Sequence, residues 1–223
     1  MAVIRVALLG GSDSLRAAKR AILESEASVQ IIYDSDGFGL LPQDFREVNF
    51  DVAIIEQRLG SQSAFDFVKI LHTLAAMDQS ALGRILIASQ FHETELRVMA
   101  IEAGAVDCVF VSDGAASLIT KTVQCSDTEA DFAIRELVPI LDEQKVNQEG
   151  FQLAALSLDT LDISATKVLK AFCQLKSDAE IAMAAGVPKA KVKTTLLAIQ
   201  KLLLLNTRSQ LLLKMYRLGA LAL

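Results

Sequence analysis

Five short runs of aliphatic and β-branched residues recur through the first half of the chain: VIRVALL (3–9), SVQIIYD (28–34), DVAIIEQ (51–57), RILIAS (84–89) and DCVFV (107–111). Each is apolar at consecutive positions, so neither of its faces can be turned to water. Runs of this kind are strands of a buried parallel sheet, and such a sheet needs helices over both faces. The intervening segments supply them. Leu15, Ala18 and Ile22 recur at helical spacing, as do Phe65, Val68 and Leu71, and then Leu96, Met99, Ala100 and Ala103, with Gly104 placed to end that helix. Residues 37–48 offer one helical turn or two. Strand and helix in alternation over 3–111 predict a doubly wound α/β sheet of flavodoxin-like order.

The pattern changes after the fifth run. SDGAASLITKTVQC (112–125) begins in a turn and then alternates Leu, Thr, Thr, Gln, which reads as an extra antiparallel edge strand over 116–124; a helix starting near Ala115 is the alternative. Ser126-Asp127-Thr128-Glu129 is a capping box that opens a long helix over 126–145. NQEG starts a linker at 147–157, and 158–223 is helical throughout by pattern. The expected domains are therefore 1–146 and 158–223.

Charge divides along the same line. Residues 1–150 carry 12 Lys and Arg against 23 Asp and Glu, a net of −11, whereas 151–223 carry 10 against 4, a net of +6. A basic half joined to an acidic one points to an anionic partner for the basic half, nucleic acid first. At 52% hydrophobic residues and a mean hydropathy of +0.38, a membrane span has to be considered. The richest stretch, LLAIQKLLLL (196–205), is broken by Gln200 and Lys201 and falls short of the ~20 apolar residues a span requires. The N-terminal run lacks the basic flank of a leader. Three cysteines (108, 125, 173), an odd number without metal-ligand spacing, read as small buried apolar groups in a reducing compartment. These features predict a cytoplasmic protein with no membrane contact.

Within the basic half, SDAEIAMAAGVPKAKVKTTLLAIQKLL (177–203) sets two helices around a glycine turn. Ser177 and Glu180 form a capping box, Gly186 makes the turn, and Pro188 suits the start of the second helix, where its missing N–H costs nothing. Ile181, Ala182, Val187, Val192, Ile199 and Leu203 are spaced to pack the pair together, leaving Lys189, Lys191, Lys193, Thr194, Leu197 and Lys201 outside. A lysine-bearing second helix is what a helix-turn-helix puts into the major groove.

Through these residues, 161–220 resembles the LuxR-type four-helix DNA-binding domain that ends NarL/FixJ-family response regulators. The likeness runs without a gap through Leu161, Val168-Leu169, Ser177, Glu180-Ile181-Ala182, Val187, Val192-Lys193, Ile199, Leu203, Arg208 and Gln210. It implies that Lys193 and Thr194 face base edges, that Ser177, Lys189, Lys191 and Arg208 lie near phosphates, and that the closing helix, about 207–217, carries a homodimer surface. The chain departs from that pattern at Lys191, Thr195 and Leu197 and at Ala165-Thr166-Lys167, where acidic residues are expected. A leucine in the groove can touch a thymine methyl but cannot hydrogen-bond a base edge.

The same resemblance implies a receiver over 3–111, supported by Ala103-Gly104-Ala105-Val106-Asp107 before the fifth strand. Receiver chemistry takes an acidic pair for Mg²⁺, an acceptor Asp, a hydroxyl and a lysine. This chain has Gly10-Gly11 at the pair, Glu56 at the acceptor, Ser89 at the hydroxyl, Val111 (or Ser112) at the lysine and Cys108 at the aromatic switch position. Asp13 and Asp113, the nearby acids, sit in turns where capping explains them. The expectation is a pseudo-receiver, with Glu56 either holding one state permanently or standing as a solvated strand-end carboxylate. No enzyme activity, cofactor or metal is expected. The partners are double-stranded DNA, a second copy of the chain and other transcription proteins.

Two other readings use the same residues. One is a protein-interaction module whose helix-turn-helix has drifted from DNA. The other is a dinucleotide-binding enzyme, with Gly10-Gly11 cradling pyrophosphate and Asp34 holding a ribose. The latter lacks the third glycine of its fingerprint, and His72 and His92, expected on exposed helix surface, lie in no catalytic motif.

Overall fold

The computed structural model describes residues 3–90, 94–126, 161–174 and 176–217. The chain divides into two compact units, and the division falls outside these residues. The linker 147–157 and the helix 126–145 also lie outside them, apart from Ser126.

In the N-terminal unit the five runs form β1 (Ile4–Leu9), β2 (Val29–Ser35), β3 (Val52–Glu56), β4 (Arg84–Ser89) and β5 (Asp107–Phe110). All pair in parallel in the order β2-β1-β3-β4-β5. The helices are α1 (Asp13–Leu23), α2 (Pro42–Arg46), α3 (Ala64–Met77), α4 (Thr94–Ala103) and α5 (Gly114–Ser126). Successive strand residues point to opposite faces. Ala7, Leu9, Ile55 and Ile87 therefore pack with Phe45, Phe67 and Leu71 of α2 and α3 and Ala100 of α4, while Val6, Leu8, Ile54 and Leu86 pack with Leu23 of α1 and Leu118 and Cys125 of α5. Reversal of strand order at β1 opens a crevice beyond the carboxyl ends of β1 and β3, where doubly wound sheets place their sites.

The extra strand predicted over 116–124 is α5. Leu118, Thr122 and Cys125 fall at i, i+4 and i+7 and are all buried against the sheet. The Thr122 hydroxyl donates to the Leu118 carbonyl at 2.7 Å, so this polar side chain satisfies itself inside an apolar contact. What reads in the sequence as two faces of a strand is two faces of a helix. Ser126 ends this helix and donates its hydroxyl to the Val123 carbonyl at 2.7 Å.

His72 is not on the open surface. Its ring is half-buried, with Nε2 2.9 Å from the carbonyl of Gly104, and it fills the space that a Cβ at Gly104 would need. His92 lies outside the described residues.

The C-terminal unit contains α6 (Ile163–Cys173), α7 (Asp178–Ala185), α8 (Lys189–Leu202) and α9 (Arg208–Arg217). Caps written in the sequence set their starts: Asp162 accepts from the N–H of Ala165 at 2.6 Å, and Ser177 and Glu180 form the expected capping box. Gly186 closes α7 in the left-handed conformation at φ +68°, and Pro188 takes the cap position before α8. Val168, Phe172, Ile181, Val192, Leu196 and Ile199 are buried. Leu211, Leu212, Leu213 and Met215 of α9, the helix to which the resemblance gives a homodimer surface, are buried within this one chain as well.

Candidate nucleic-acid interface and the strand-end crevice

Gly10 and Gly11 follow β1 at φ +87° and +83°, a region that side chains disfavour. The space around them is filled. A Cβ on Gly10 would stand 2.8 Å from Cβ of Glu56 and 2.7 Å from Cδ2 of Leu59, and one on Gly11 would stand 3.3 Å from Cγ of Glu56. Glu56 thus leaves the end of β3, crosses both glycines and meets the ammonium of Lys19 on α1, with Lys19 8% and Glu56 9% exposed. The carboxylate is not a solvated strand end.

The residues present do not fit a divalent cation. Two of the three carboxylates that would hold it are glycines, and the third is paired with a lysine. Asp13 turns outward against Arg16. Among the described residues no group of His, Cys, Asp or Glu is placed to hold a metal ion. The Ser89 hydroxyl is buried and donates to Oε1 of Gln57 at 3.1 Å. Val111, at the lysine position, is exposed.

A lysine does reach β5, from an element the sequence misassigned. Lys121 of α5 donates to the carbonyl of Cys108 at 2.8 Å and lies 3.2 Å from Asp107 and 3.8 Å from Asp113. Asp107 is also held by a two-point bond from Arg97 of α4, at 2.5 and 2.7 Å, with both side chains buried. This network ties α4, β5 and α5 together. Burial pushes the Cys108 thiol up to about 12, beyond ionisation at neutral pH.

Sequence reasoning missed Lys19 and Arg97 for one reason. In α1 the apolar stripe was drawn through Ala18, but Ala18 is exposed and Lys19 takes the inward place. In α4 the stripe was drawn through Met99, which is 46% exposed, while Arg97 turns in. A charged residue one position from a weak apolar stripe was the available signal.

Asp34, proposed to bind a ribose, is held by Arg16 at 2.7 Å and Arg20 at 2.8 Å. Burial raises its carboxyl, but the two guanidinium groups outweigh that and leave it below the usual range. Arg16 also donates to the Gly11 carbonyl at 2.5 Å. The glycine turn and the acid are engaged with each other through arginine, which leaves no cradle for a dinucleotide.

On the C-terminal unit, α8 has two distinct sides. Val192, Thr195, Leu196 and Ile199 are buried, whereas Lys193, Thr194, Leu197 and Lys201 are exposed along the opposite side, with Lys189 and Lys191 exposed at its start. The Thr194 hydroxyl donates to the Lys191 carbonyl at 3.0 Å, and Leu197 is 46% exposed. Ser177 is exposed at the start of α7 with its hydroxyl 2.7 Å from the Glu180 carboxylate. Arg208 is placed differently. Its guanidinium pairs with Asp178 at 2.7 Å and lies 5.6 Å from the Phe172 ring centroid, binding the start of α9 to α7 and α6.

No known family's sequence pattern matches the chain, and no curated protein matches it in sequence. Its structure matches solved ones. RcsB from Salmonella enterica serovar Typhimurium, bound to the promoter rprA in the presence of a phosphomimetic, superposes with a TM-score of 0.51 at 12% identity, over 96% of this chain and 98% of that one. A LuxR-family two-component response regulator from Aurantimonas sp. SI85-9A1 superposes with a TM-score of 0.50 at 18% identity, over 56% of this chain and 86% of that one. The fold is that of a response regulator: a receiver-like five-stranded parallel sheet flanked by helices, followed by a helical unit.

Proposed function

We propose that the chain is a DNA-binding transcription regulator whose receiver-like unit works without phosphorylation and whose helix-turn-helix reads double-stranded DNA as a homodimer in the cytoplasm. The observation that carries this reading is the exposed side of α8. Lys193, Thr194, Leu197 and Lys201 stand out along one line, on a helix whose other side is packed into a small helical core. A helix so presented fits a major groove, and its lysines supply the phosphate attraction that DNA binding needs. In this reading the units span 1–146 and 158–223 around a linker at 147–157. Lys193 and Thr194 meet base edges, Leu197 meets a thymine methyl, and Ser177, Lys189, Lys191, Lys201 and Arg208 belong to the phosphate-facing surround. Glu56 takes no phosphoryl group, and no metal or cofactor is used.

Selection from a random duplex pool by the purified full-length protein, at stated salt, tests the proposal. An enriched sequence bound with a steep salt dependence is the expected result. No enrichment and no salt-dependent binding would leave the exposed side of α8 to a protein partner. Light scattering tests the dimer, and a mass of 24.1 kDa at micromolar concentration overturns it.

A further inference from the structure

The turn after β1, the end of β3 and the second turn of α1 converge on one point. Glu56 runs from the last position of β3 across the glycine turn and ends at Lys19, and both side chains are buried. The stem and carboxylate of Glu56 fill the volume that side chains at 10 and 11 would use, since its Cγ and Cδ lie 3.3 and 3.7 Å from a Cβ built on Gly11. A carboxylate taken from water in this way is tenable only beside a cation. Lys19 is that cation, standing in the inward line of α1 between Leu15 and Leu23. Arg16, the neighbouring cation on α1, is engaged with Asp13, Asp34 and the Gly11 carbonyl.

We infer that Lys19 is a built-in counter-cation, and that the Lys19–Glu56 pair, closed over by Gly10 and Gly11, stands where a receiver holds a divalent cation between acidic side chains and fixes the end of β3 to α1 in one arrangement. Burial lowers the Lys19 ammonium to about 8, which leaves it charged at neutral pH opposite Glu56. The glycines, the longer acid and the inward lysine then form one interdependent set rather than separate losses. A carboxylate one methylene longer than aspartate reaches α1, and it does so only because the turn carries no side chains. The regulatory consequence, which rests on the reading of the chain as a regulator, is that the signal controlling DNA binding does not enter through this crevice.

A thermodynamic cycle on the full-length protein tests the inference, using Lys19→Met, Glu56→Gln and the double variant. Thermal unfolding is followed with and without millimolar magnesium and beryllofluoride. Each single change strands a buried charge or its partner and should lower the midpoint of the N-terminal unit by roughly 10 °C. The double variant should return to within a few degrees of the parent, far from additivity. Magnesium with beryllofluoride should leave the parent midpoint unmoved. If the single variants do not fold, a folded double variant establishes the coupling. Single variants that match the parent, an additive or unfolded double variant, or a parent stabilised by magnesium would each overturn the inference. Duplex binding by the same proteins keeps the two readings apart. A parent without sequence-selective binding defeats the regulator and leaves the cycle standing, whereas a failed cycle leaves DNA binding untouched.

Discussion

At the carboxyl ends of β1 and β3, charge is answered from within the chain, Glu56 by Lys19 and Asp34 by Arg16 and Arg20, and at the start of the edge strand β5 Asp107 is answered by Arg97 and Lys121. On α8 the charges instead stand along an exposed side that leaves the helical core intact. The first region has a receiver-like fold whose strand-end crevice is filled by internal pairs. The second presents its chemistry outward. Burial explains the contrast. A charged group inside a fold must find a partner there, so a buried carboxylate such as Glu56 obliges the chain to supply a cation beside it. An exposed lysine carries no such obligation and remains open to an outside anion.

The largest effect should come from forcing a side chain back into the filled crevice. Gly10→Ala places a Cβ within 2.8 Å of two neighbours and at φ +87°. Left-handed strain of about 1–2 kcal/mol and overpacking of about 1–3 kcal/mol together predict a loss of roughly 3–4 kcal/mol. Chemical denaturation measures it, and a loss below about 1 kcal/mol would show that the crevice has slack and that the contrast between the regions is overdrawn.

Next comes Arg208, which the sequence assigns to phosphate contact and the structure pairs with Asp178 over Phe172. As an internal clamp, Arg208→Ala should cost the helical unit about 2–3 kcal/mol by stranding a buried carboxylate, with the salt slope of DNA binding unchanged. As a phosphate contact, it should leave stability alone and lower that slope by about one. Denaturation and salt titration on the same variant decide between them.

What was legible in the sequence follows the range of the interactions concerned. The sheet was visible because β1, β3, β4 and β5 are buried on both faces along most of their length and so are apolar residue by residue, whereas the edge strand β2, also found by its apolar run, is exposed at alternate positions. The start of α7 was visible because a cap and its N–H lie three residues apart. The α5 segment was misread because Thr120 and Thr122 bracket Lys121 and mimic alternation; one threonine bonds its own helix, and the lysine reaches back to β5. The Lys19–Glu56 and Arg208–Asp178 pairs could not be read at all. They join residues 37 and 30 positions apart, and nothing local distinguishes such a lysine or arginine from a solvated one.

Smaller, and confined to the open side of α8, is the contrast between two lysines. Lys193→Ala should cost about 1–3 kcal/mol at the preferred sequence and relax preference at one position. Lys191→Ala, at the flank, should weaken all duplexes alike and lower the salt slope by about one. Titrations against preferred and scrambled duplexes at several salt concentrations measure both. Equal losses on both duplexes for both variants would make α8 an electrostatic anchor without base readout.

The smallest effect separates the two units by pH. Both histidines of the chain, His72 and His92, precede residue 150. Burial lowers the His72 imidazole below its usual 6.5; its bond to the Gly104 carbonyl opposes this, and Arg84 adds to it. Below pH 6.5 the unfolded chain therefore takes up a proton at this position more readily than the folded one. By linkage the N-terminal unit loses stability as pH falls through that region and keeps it fully above. The helical unit has no histidine among its residues and should be unaffected by this route. Denaturation at pH 7.5 and pH 5.5, followed separately for the two transitions, should show the acid loss in the N-terminal unit of the parent and a smaller loss in His72→Gln. His92→Gln serves as the control for the second histidine. An acid loss of equal size in the parent and in His72→Gln would mean that the buried imidazole bears none of it, and that the proton is taken up elsewhere in the acidic half.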